Sequence, residues 1–126
     1  MQRRNTSYLV AGILAVVVWQ TSLLAHHGGG SLYEMKKQVT FQGKITEFTW
    51  TNPHVEIGIE TVAAKGEVEH WLIELGSPAN VRNKGWTKTS LKPGDTVTIT
   101  IRPGLRGQKV GVLVKVVTAQ GKELGA

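Results

Sequence analysis

The chain has 126 residues, a formal charge of +6 and no cysteine. That length holds one modest core rather than two, and the lack of thiols removes disulfides, cysteine lipidation and cysteine nucleophiles. Lys and Arg are scattered and not interleaved with aromatic residues, which argues against a nucleic-acid partner.

Residues 1–25 read as a signal peptide. Arg3 and Arg4 supply positive charge, Tyr8 to Trp19 is an uncharged apolar run, and Gln20 to Ala25 ends in Leu-Leu-Ala, where cleavage is expected. The apolar run falls short of the roughly 20 residues that span a bilayer, so a retained anchor is the weaker reading. Asn5-Thr6-Ser7 after the arginine pair does not support twin-arginine export, leaving general secretion to the periplasm, or secretion beyond it. Loss of Arg3 and Arg4 leaves a charge of about +4 on the mature chain. It is expected to be a monomer with no stable membrane insertion, its basic charge still allowing weak attraction to anionic lipid or acidic wall polymers.

Cleavage after Ala25 makes His26 the amino terminus, and its free amine and imidazole together chelate a metal such as Cu(II) or Zn(II). Two ligands from one residue hold weakly. A third donor is His27 or, if the chain folds back, His54 or His70. The plainer and favoured reading is two solvated histidines at a chain end. Gly28 to Ser31 reads as a tether, and residues 26–37 as a flexible N-terminal segment. The glycines are not a phosphate loop, because no strand precedes them and the following lysine and hydroxyl are absent.

Residues 38–126 read as the folded domain. Val39, Phe41 and Ile45 alternate with polar residues before the phase slips to Phe48 and Trp50, which in a strand containing Gly43 predicts a bulge or sharp bend. Asn52-Pro53 breaks the strand. Val55, Ile57 and Ile59 predict a second strand, and Trp71, Ile73 and Leu75 a third. Ser77-Pro78 then puts a hydroxyl at an N-cap and proline at the first helical position, opening a short helix that Gly85-Trp86 ends. Beyond the Leu91–Asp95 turn, Val97, Ile99 and Ile101 predict a fourth strand. A fifth is expected to place Val110, Val112, Val114 and Val116 on one face.

The order β-β-β-α-β-β with a bent first strand is the plan of a small five-stranded OB-like barrel. A five-stranded sandwich or an SH3-like barrel shares the periodicity. In the OB plan ligands meet strands two and three and the loops after strands one and four, here Thr51 to His54 and Arg102 to Lys109.

Phe48-Thr-Trp-Thr-Asn-Pro-His54, Trp71-Leu-Ile-Glu74, Gly76-Ser-Pro78, Gly85-Trp86 and Leu91-Lys-Pro-Gly-Asp95 together resemble a family of small exported bacterial proteins known only as a domain of unknown function. The likeness spans nearly the whole mature chain, including the His-His start. It implies export and a small β-barrel, with no assigned activity and no catalytic residue to carry over.

The strand pattern points His54, Glu56, His70 and Glu74 outward. One hairpin register sets His54 opposite Glu74, as a supporting cross-strand pair or as a metal ligand with its orienting partner. Trp71 is expected in the core. Trp50 and Trp86 lie beside turns, where core packing competes with lining a groove. Arg102, Arg106 and Lys109 surround one loop and suit an anionic ligand, although a solvated loop is the simpler account. The candidate ligand set is therefore Trp50, Asn52, His54, Trp86, Arg102 and Arg106, and the candidate metal set His26, His27, His54 and His70. Asn52-Pro53 has a structural turn role in either case.

No catalytic constellation is recognisable. The single aspartate, Asp95, lies in a Pro-Gly-Asp turn, and Glu67 and Glu69 make an ordinary strand-edge pair. A copper-brace oxidase also starts with histidine, yet this chain is small for the substrate platform such chemistry needs. The sequence thus points to an exported, non-enzymatic binding or interaction module for an unknown protein or small ligand. The alternatives are a copper or zinc binding protein and a saccharide or peptide binding barrel.

Overall fold

The computed structural model describes residues 32–126. In chain order come β1 (Val39–Trp50), β2 (Val55–Val62), β3 (Val68–Glu74), helix α1 (Pro78–Arg82), β4 (Thr96–Pro103), a 3₁₀ turn at Leu105–Gly107, β5 (Val110–Thr118) and β6 (Glu123–Gly125). β1 pairs with both β2 and β4, β4 with β5, and a parallel pairing of β3 with β5 closes the ring. The resulting closed five-stranded barrel has the OB-like plan, with β6 added outside the ring on β5.

β1 serves two neighbours because it bends. Its first half pairs with β4 and its second with β2, and the β2 register slips between Ile45 and Glu47, so Thr46 has no cross-strand partner. The bulge accounts for the change of buried phase from Ile45 to Phe48. A Cβ on Gly58 would meet the Thr46 hydroxyl at 2.8 Å, so the residue facing the bulge has room only for hydrogen. Gly43 lies where β1 leaves β2, and a Cβ there would come within 2.6 Å of the Glu60 carbonyl oxygen.

Inward-facing Ile45, Val55, Ile57, Ile59, Ile73, Leu75, Val97, Ile99 and Ile101 fill the barrel. Helix α1 begins as its sequence predicts, with the Ser77 hydroxyl accepting from the Asn80 N–H and Pro78 in the first turn. Its Val81 joins the core.

Two expectations fail in the second half of the chain. β5 buries Gly111, Leu113 and Val116, whereas Val110, Val112 and Val114 are only half-buried. A register shift pairs Thr100 with Lys115 and Ile101 with Leu113, leaving Val114 as an extra residue that reverses the phase. β6 was not anticipated. It buries Leu124 and offers the Gly125 carbonyl to the Trp86 indole N–H at 2.8 Å.

The N-terminal segment expected to be flexible is partly seated on the barrel. Tyr33 bridges to Gly104, the Glu34 N–H donates to the Pro103 carbonyl at 2.9 Å, and the Leu105 N–H donates to the Leu32 carbonyl at 3.0 Å. Tyr33 is 8% exposed, so an aromatic side chain holds residues 32–35 in place, while the Gly28–Ser31 tether lies outside the described residues. No helix among the described residues is long and apolar enough to cross a membrane.

Candidate functional site

β2 and β3 pair with Glu56 opposite Glu74 and Ile57 opposite Ile73. The backbone pairing continues through Val55, whose N–H donates to the Gly76 carbonyl and whose carbonyl accepts from the Leu75 N–H. His54 therefore does not face Glu74 directly, as one sequence register had it. It reaches Glu74 along the diagonal, with Nδ1 3.0 Å from Oε1. A carboxylate only accepts, so Nδ1 carries the hydrogen and Nε2 is the ring nitrogen left facing away from Glu74.

The other oxygen of Glu74, Oε2, accepts the Tyr33 hydroxyl at 3.0 Å. Glu74 thus ties the loop between β1 and β2 to the N-terminal segment. Burial, the bond to Glu74, and the charges of Glu74 and Glu56 push the Tyr33 phenol up to about 12. Glu56, Glu74, Val112 and Arg102 are successive register partners across β2, β3, β5 and β4, and so form one outward row round the barrel. Arg102 donates from Nε to the Met35 carbonyl at 3.3 Å.

The remaining anticipated residues divide around this cluster. Asn52 is exposed in the turn before His54, and the Asn52–Pro53 peptide is cis. Trp50 is half-buried, with the Arg82 guanidinium 6.0 Å from its ring. Trp86 cannot line a groove: it is 0% exposed, 6.0 Å from Phe48, and its N–H is already used by Gly125. The turn before it is exposed, and Trp86 itself turns into the core, its indole N–H held by β6. Arg106 is exposed in the 3₁₀ turn with φ at 62°.

His70 faces Glu60 and stands four residues along β3 from Glu74, about 13 Å at strand spacing. The structure therefore does not bring His70 together with His54. His26 and His27 lie outside the described residues, among which no group of three or more His, Asp or Glu side chains is placed to hold a metal ion.

Sequence reasoning missed two features. Tyr33 completes the His54–Glu74 cluster, and the only sequence signal for it is one aromatic residue beyond the glycine tract. On the other face of β3, Glu69 accepts from Lys109 Nζ at 2.7 Å and from the Trp71 indole N–H at 3.1 Å, with the Lys109 ammonium 5.1 Å from the Trp71 ring centre. Trp71 is only partly buried and stacks at 5.2 Å on Phe41. A groove of about 600 Å³ opens beside Phe41 and Gly43, where β1 and β2 part.

Fold and site together define a small OB-like β-barrel domain whose polar cluster lies on the face of strands two and three. The chain belongs to a family of unknown function (DUF6152), whose model matches residues 14–115. That match runs from within the apolar stretch Tyr8–Trp19 into β5 and leaves β6 outside. No curated protein matches the chain.

Proposed function

We propose that this protein is an exported, non-enzymatic binding module that takes its ligand on the outer β2–β3 face, between the Thr51–His54 and Gly104–Lys109 loops. The observation that carries the reading is the Tyr33–Glu74–His54 cluster, because Glu74 fixes an exposed imidazole and a buried phenol at the place where this barrel plan receives ligands. Glu56, the Glu74 carboxylate and the Nε2 of His54 present hydrogen-bonding groups suited to hydroxyl or amide ligands, and the half-buried Trp50 adds an apolar surface. Export is supported by the leader pattern. The non-enzymatic reading is supported by two candidate acids being otherwise engaged: Asp95 accepts from the Lys92 N–H at 3.0 Å, and Glu69 is tied to Lys109 and Trp71.

Amide shift mapping with short oligosaccharides and peptides tests this. Saturable shifts centred on Thr51–Glu56 and Glu74, and lost in Glu74→Gln, are expected; shifts confined to the groove near Gly43 would move the site there.

A second reading, copper or zinc binding, is favoured by one observation. Glu74 holds Nδ1 of His54, the arrangement in which carboxylates orient metal-binding imidazoles through the opposite nitrogen. Tyr33 is anchored at the same cluster, and His27 precedes it by six residues, a reach of at most about 21 Å. Calorimetry with Cu(II) on the chain starting at His26 should show sub-micromolar binding. One added N-terminal residue should abolish it, and His54→Ala should weaken it. Equal binding with and without the added residue would remove His26 from the site.

A further inference from the structure

One end of the barrel combines exposed apolar side chains with cations in a way the β2–β3 site does not explain. The described residues leave six large apolar side chains exposed, and three of them, Leu32 (63%), Met35 (50%) and Leu105 (38%), lie on the ribbon that residues 32–35 make with Arg102–Leu105. Leu32 and Leu105 line one shallow depression with Arg106 and Gln108. Lys36 and Arg106, both exposed, make no ion pair with any described residue. Lys37 reaches Glu34 only at 3.9 Å.

Apolar tips rimmed by cations suit the boundary between acyl chains and anionic headgroups. Charge complementarity specifies the occupant: across residues 32–37 and 102–106 Glu34 is the one acid against Lys36, Lys37, Arg102 and Arg106, which beside exposed apolar tips fits an anionic bilayer surface. We propose that the Leu32–Lys37 and Leu105–Arg106 ribbon is a peripheral docking surface for anionic phospholipid membranes, separate from the ligand site proposed above. The apolar side chains enter the headgroup boundary, and Lys36, Lys37 and Arg106 pair with lipid phosphates. No helix among the described residues is long and apolar enough to cross the bilayer.

Vesicle co-sedimentation tests this on the chain from His26, which keeps every buried core residue from Tyr33 to Leu124. Vesicles of phosphatidylcholine with one quarter phosphatidylglycerol are compared with pure phosphatidylcholine. Binding is expected on the anionic vesicles and is to fall when NaCl is raised from about 0.05 M to about 0.3 M. Lys36→Gln and Arg106→Gln should each reduce it by about fivefold, and Leu105→Ser should reduce it without altering the salt dependence. Lys92→Gln carries the same charge change before the other end of β4, eight residues of strand away, and should leave binding unchanged. Circular dichroism confirms that each variant is folded. Equal binding to both vesicle types, binding to neither, or an equal loss in Lys92→Gln would each overturn the proposal.

Discussion

β3 carries two carboxylates, each gripped by two side-chain donors, and they differ in what the grip leaves over. Glu69 takes Lys109 and Trp71 on the face that carries Ile73 into the core, and its donors come from its own strand and the adjacent loop before β5. Glu74, on the opposite face, takes Tyr33 and His54, which come from the N-terminal segment and the loop before β2. The first cluster braces the rim of the barrel, and what it leaves over is the spare N–H donors of a half-exposed ammonium whose charge Glu69 already balances. The second joins two segments distant in sequence and still presents an imidazole nitrogen to solvent. A carboxylate with two donors is therefore not in itself a site; the difference lies in which segments it joins and in whether the group left over is a donor only, as in lysine, or an imidazole nitrogen.

The largest test of that contrast removes the Tyr33 ring. Tyr33→Ala deletes a buried aromatic side chain and the hydroxyl that Glu74 accepts, and is expected to destabilise the protein by about 3 kcal/mol. Urea unfolding followed by tryptophan fluorescence measures this. Faster amide exchange at Glu34 and Leu105, whose N–H groups bond across the ribbon, should accompany it. A change near zero would mean that Tyr33 does not anchor the segment.

A smaller effect separates the phenol's electrostatics from its packing. In the chain from His26, Tyr33 is the sole tyrosine. Its ionisation, followed by tyrosinate absorbance, should have a midpoint near 12 in the folded state, against 10.0 for an ordinary phenol. Folding favours the neutral form, so this contribution to stability is complete below about pH 10 and is lost as pH rises through the folded value. Glu74→Gln removes an accepting charge and should lower the midpoint; an unchanged midpoint would assign the shift to burial alone.

Much of this arrangement was legible, and what was not has physical causes. The β1 slip showed because polar Thr46 and Glu47 separate Ile45 from Phe48, so the change of phase marks itself. The equivalent slip in β5 was hidden, since Val112, Leu113 and Val114 are all apolar and alternation carries no sign there. Ser77-Pro78 announced the helix through local capping chemistry, whereas β6 is three residues long and owes its place to Leu124 and a carbonyl that meets Trp86. The outward positions of His54 and Glu74 followed from strand period alone. Their contact depended on a diagonal reach from a loop, and Tyr33 on a docking that no periodic pattern records.

The smallest effect expected is at Glu69, and it completes the contrast. The Lys109 ammonium first, and the Trp71 N–H second, hold its carboxyl below the ordinary 4.5. A lowered folded value means that its contribution is present above pH 4.5 and fades as pH falls through the folded value, the reverse of Tyr33. Lys109 is 47% exposed, so salt screens the pair, and Lys109→Met should shift the unfolding midpoint far less than Tyr33→Ala does. Its sharper reading is by carboxyl NMR titration, where Glu69 should move up toward 4.5 in Lys109→Met while the alkaline titration of Tyr33 stays in place. Movement of both would mean that the two faces of β3 are electrostatically coupled, and the distinction between a brace and a site would then fail.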